Sequence, residues 1–86
     1  MSVELTKEWE AEGVTWFTVR VGGKIAGRIV RDPYLGRGRM WKAGGYDVDA
    51  EGDSRIDTFY ALANYPTKRQ AVDAVVAEFE HWVKTG

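Results

Sequence analysis

Two runs of β-type residues flank Gly22-Gly23. Val14 to Val21 is rich in β-branched and aromatic side chains, and Lys24 to Arg31 follows in weaker form. The paired glycines suit the positive φ angles of a two-residue hairpin turn. A regular ladder through that turn sets Val21 opposite Lys24, Val19 opposite Ala26 and Trp16 opposite Ile29. One sheet face would then carry Trp16, Thr18, Ile25, Gly27 and Ile29, and the other Phe17, Val19, Ala26, Arg28 and Val30. The Trp16–Ile29 face is the expected core, because Gly27 leaves room on it for a helix or a bulky ring.

Upstream, Val3, Leu5 and Trp9 alternate with Glu4, Thr6, Glu8 and Glu10, the pattern of a half-buried strand that turns at Ala11-Glu12-Gly13. Downstream, Arg31 to Gly38 reads as a loop punctuated by Pro33, Gly36 and Gly38. Met40 to Tyr46 reads as a strand with a bulge at Gly44-Gly45, Asp47 to Ser54 as an acidic turn, and Ile56 to Ala63 as the last strand. Thr67 with Gln70 forms a capping box behind Pro66. Val72, Val75, Val76, Phe79, Trp82 and Val83 follow at helical spacing, with Asp73, Ala77, Glu80 and Lys84 opposite. The expected fold is α+β: an antiparallel β-meander of four to five strands packed against one C-terminal helix. Its strands span about 3–10, 14–21, 24–31, 39–46 and 56–63, and its helix about 67–84, all in a single domain covering residues 1–86.

A chain of 86 residues buries only about 60 to 65% of its unfolded surface, so the large side chains must supply most of the core. Trp9, Trp16, Trp41, Trp82, Phe17, Phe59 and Phe79 are the expected suppliers, with some rings left as surface anchors. The absence of Cys excludes disulfides and thiolate zinc sites and fits a reducing cytoplasm. Met1-Ser2-Val3-Glu4-Leu5 has neither the basic start nor the apolar stretch of a signal peptide, and no apolar run is long enough to span a membrane.

Charge is segregated beneath a net value of −1. Residues 20–42 hold Arg20, Lys24, Arg28, Arg31, Arg37, Arg39 and Lys42 against Asp32 alone, a local +6. Residues 1–12 carry −3 and residues 43–64 carry −4. A basic hairpin between acidic flanks can hold an acidic protein surface or a phosphate backbone, or can be paired across strands on a solvated face. The candidate contact residues are Arg20, Arg28, Arg31, Tyr34, Arg37, Arg39 and Lys42. Tyr34 and Leu35 among arginines have the composition of an interface anchor, and Arg37-Gly38-Arg39 has that of a minor-groove hook without its prolines.

Asp47, Asp49 and Glu51 ahead of Gly52 begin like a calcium loop, but Thr58 stands where the bidentate Glu belongs, which favours an acidic turn. His81 is the one histidine, and neither Ser2 nor Ser54 is placed to pair with it, so no catalytic group or cofactor is expected.

Trp41-Lys42-Ala43 followed by Leu62-Ala63-Asn64-Tyr65-Pro66-Thr67-Lys68-Arg69-Gln70-Ala71-Val72-Asp73-Ala74 resembles the strand and helix signature of plant ethylene-response-factor DNA-binding domains. The amino-terminal arm-binding domains of phage integrases look similar. The resemblance implies a sheet laid in the major groove, with Arg28, Arg31, Arg39 and Trp41 touching DNA. The acidic insert Asp47–Asp57 and the extra amino-terminal strand depart from that pattern.

Two expectations follow. One is a non-enzymatic module that docks on a larger protein partner and modulates it, such as an inhibitor or accessory protein of phage or prophage origin. The other is a sheet-mediated DNA-binding domain using the basic central hairpin. Either fits a cytoplasmic monomer or homodimer.

Overall fold

The computed structural model describes residues 2–35 and 38–85. Five strands, β1 (Val3–Ala11), β2 (Val14–Val21), β3 (Lys24–Arg31), β4 (Trp41–Val48) and β5 (Ser54–Tyr65), precede one helix, α1 (Lys68–Thr85). The strands form one antiparallel sheet in chain order, β1-β2-β3-β4-β5, and α1 lies across one face of it. This is the expected α+β meander, with β5 longer at both ends than its apolar core implied. No helix among the described residues is long and apolar enough to cross a membrane.

Two tight turns set up the first three strands. Gly22 and Gly23 take φ of 56° and 83°, and Glu12 and Gly13 take 54° and 83°. Positive φ at both central positions gives a turn whose twist matches that of the strands it joins. Glu12 accepts this geometry at some steric cost, because an L side chain rarely occupies that region.

The hairpin starts in the expected register, with Val21 opposite Lys24. It then departs from it. Arg20 pairs with Ile25 while Val19 pairs with Gly27, so Ala26 is an extra residue in β3. Because side chains alternate with a period of two, one inserted residue exchanges the faces of everything beyond it. Trp16 therefore stands opposite Val30, and Phe17 opposite Ile29. The expected core face is corrected accordingly. Gly27 and Ile29 do face the helix, but they do so with Phe17 and Val19, while Trp16 lies on the opposite face.

The core between sheet and helix is built from smaller side chains than the composition suggested. Val19, Val21, Ala26, Ile29, Ala43 and Val48 from the sheet meet Ala71, Val75 and Phe79 from α1. Phe17, Trp41, Leu62, Tyr65 and Trp82 close its margins. Close packing requires Gly27: a Cβ there would sit 2.3 Å from the Gly44 carbonyl oxygen and 2.6 Å from Val75 Cγ1. The helix starts where the capping pattern placed it, with the Gln70 N–H donating to Thr67 Oγ1 at 3.2 Å. Farther along α1, Trp82 Nε1 donates to the Tyr60 hydroxyl at 2.6 Å, and that hydroxyl donates to Glu78. Burial and then the bond to Glu78 raise the Tyr60 pKa above its usual value.

Candidate functional site

With α1 covering one face, the other face of the sheet stays open. It holds a groove of about 830 Å³ lined by Trp9, Ala11, Glu12, Val14, Trp16, Arg28, Val30, Asp32, Lys42, Ala43, Gly44, Phe59 and Ala61. Trp9 is 48% exposed, Trp16 36% and Phe59 45%. Three large rings on one open face form an apolar area of the kind associated with contact surfaces.

Strand order arranges these side chains. Trp9 on β1 pairs with Trp16 on β2, and their ring centroids are 5.4 Å apart. Arg28 follows on β3. Next to it on β4 comes Gly44, whose missing side chain lets Phe59 reach in from β5: a Cβ at Gly44 would lie 2.2 Å from the Phe59 ring. Arg28 consequently has an aromatic ring on each side. Its guanidinium carbon is 4.7 Å from the Trp16 centroid and 5.3 Å from that of Phe59. These are cation–π distances, so the two rings flank the charged group.

The predicted contact residues fall into separate groups. Arg28 and Lys42 line the groove, with Arg20 on the same face, its guanidinium donating to Thr6 Oγ1 at 3.1 Å. Tyr34, 77% exposed, stands at the rim and donates to the Glu12 carbonyl at 3.4 Å. Arg31 pairs in register with Trp41 and Thr15, on the helix side of the sheet, and Arg39 is exposed in the loop before β4. Arg37 lies outside the described residues. Of the residues that the DNA-binding resemblance singles out, Arg28 is on the open face, whereas Trp41 packs against Phe17 beside the core, with centroids 6.1 Å apart.

Lys24 is the one member of the basic run that makes an ion pair among the described residues. Its Nζ is 2.7 Å from Asp53 Oδ1, a contact that raises its pKa. No carboxylate among the described residues comes within ion-pair distance of Arg28 or Lys42. Asp32, at one end of the groove, has its carboxylate engaged by the Tyr34 N–H at 3.0 Å, which shapes the turn there.

The acidic segment is a turn. Asp49 Oδ1 accepts the N–H groups of Glu51 at 3.0 Å and Asp53 at 2.9 Å, and Asp47 lies back on β4 with its N–H bonded to Thr58 Oγ1. The geometry is that of the acidic turn, and among the described residues no three acidic or His side chains gather to hold a metal ion. The turn's own backbone N–H groups engage Asp49 Oδ1.

Of the predicted basic residues, the groove brings together Arg28 and Lys42, and it adds Trp9, Trp16 and Phe59, which the sequence did not single out as site residues. The Ala26 bulge hid Trp16, since an unbroken ladder sends it inward. Gly44 beside a ring-bearing strand was the available signal for Phe59. Compared with family models, curated proteins and solved structures, the chain matches none.

Proposed function

We propose that this protein is a binding module that docks on a larger protein through the open face of its sheet and modulates it. The observation that carries this reading is the aromatic groove on the uncovered face, with Arg28 held between Trp16 and Phe59. Trp and Arg dominate binding energy at protein interfaces when they sit in central, water-excluding patches. A groove floor of Trp9, Trp16, Val30 and Phe59 supplies apolar area, while Lys42, Glu12 and Asp32 make the kind of polar surround seen at such interfaces. This reading centres the contact on the sheet face that Arg20 and Arg28 of the basic hairpin share with Lys42, rather than on the loop before β4. The loop's Tyr34 remains at its edge.

Sheet-mediated DNA binding is the second reading. It is favoured by Arg20, Arg28 and Lys42 sharing one face with exposed indole rings. Against it stand Glu4, paired in register with Arg20, and the acidic groups at the groove's end, which repel a polyanion.

Affinity capture from lysate of the organism that makes the protein, with and without nuclease, separates the two. Wild-type protein should retain a protein partner after nuclease treatment. A variant carrying Trp9→Ser and Phe59→Ser, with wild-type circular dichroism, should lose it. Loss of the partner on nuclease treatment, or its full retention by the variant, would contradict the proposal. Lys42→Glu provides a second test should the double variant unfold.

A further inference from the structure

We infer that the groove takes an extended segment of the partner in which a carboxylate, flanked by apolar residues, is gripped by Arg28. This rests on the docking reading above and adds the chemistry of the occupant. Arg28 lies on the central strand, with rings on both sides and no carboxylate of the described residues within ion-pair distance. A guanidinium flanked by rings keeps its donors in the plane between them, the arrangement that binds a carboxylate through two parallel hydrogen bonds. Lys42, one strand away and in register with Val30, adds positive charge to the same groove.

The dimensions suit a short segment. Four inter-strand spacings of about 4.8 Å separate β1 from β5, so about six extended residues cross the sheet. With the carboxylate over β3, the residues before and after it meet the Trp9–Trp16 pair on one side and Phe59 on the other. A phosphate could also accept from Arg28. A nucleic acid, however, would bring a row of charges past Glu12 and Asp32, whereas a single carboxylate between apolar side chains matches the two cations and three rings that are there.

Selection from a random-peptide display library on the intact protein tests this, with an oligothymidylate as the competing anionic probe. Enriched peptides should carry Asp or Glu flanked by apolar residues. A synthetic copy of one should bind Arg28→Met about tenfold or more weakly than wild type, with Arg28→Lys in between. Replacing the peptide's acid by its amide should cost wild type a similar factor and cost Arg28→Met little. Enrichment of uncharged peptides that still need Trp9 and Phe59 would overturn the carboxylate anchor and leave the docking face standing. Binding of the oligothymidylate with no enriched peptide would overturn both. Circular dichroism of each variant confirms that the fold is intact.

Discussion

Tyr60 accepts the Trp82 indole N–H and donates to Glu78, so one hydroxyl ties β5 to two positions of α1. Removing it leaves both partners half-buried without their bond. Tyr60→Phe should therefore lower stability by about 1–3 kcal/mol, measured by urea unfolding at neutral pH. The raised pKa sets the sign of its pH dependence. Stability from the neutral phenol is whole below the unfolded value near 10.0 and is lost as pH rises through the higher folded value. The phenylalanine variant should lack that part of the alkaline decline. Gly44 carries the second residue-scale prediction. Since a Cβ there would meet the Phe59 ring, Gly44→Ala should displace Phe59 from beside Arg28 and cost about 1–3 kcal/mol. Nuclear magnetic resonance should show the ring's signals shifted while those of α1 stay in place.

The Ala26 bulge decides which aromatic residues of β2 belong to the core. Truncating the inward ring should cost more than truncating the outward one. Phe17→Ala should destabilise by about 3 kcal/mol, and Trp16→Ala by less than about 1.5 kcal/mol. The opposite ranking in unfolding experiments would restore the unbroken ladder. The helix was legible because its signals are local: a Thr67 cap, a Gln70 partner and an apolar stripe. Even there, Ala71 is fully buried and Val83 exposed, since the center of the stripe is set by where the sheet lies. The turns at Glu12-Gly13 and Gly22-Gly23 were legible from turn chemistry. The bulge was not, because an Ala in β3 carries no mark distinguishing a paired residue from an inserted one, and its consequence reaches every face assignment beyond it.

At the scale of the whole molecule, the helix covers one face of the sheet and the groove occupies the other. The basic run read from the sequence is distributed by the fold. Lys24 is held by Asp53, Arg31 lies on the helix side, and Arg20, Arg28 and Lys42 share the open face. Segregation of charge along a chain does not fix segregation on a surface, because neighbours in a strand point to opposite faces. Strands β1 and β5 are the sheet's two edges. The β1 edge carries Glu4, Lys7, Glu8 and Glu10 and a register shift between Lys7 and Trp9, features that disfavour pairing along a sheet edge. The most direct test of the contact face is amide and indole shift mapping on the isotope-labelled protein as the captured partner is added. Shifts should concentrate at Trp9, Trp16, Arg28, Lys42 and Phe59 and spare the outward side of α1 at Asp73, Ala77 and Lys84. Shifts confined to α1 or to the loop around Arg39, with the indole signals of Trp9 and Trp16 unmoved, would contradict the account.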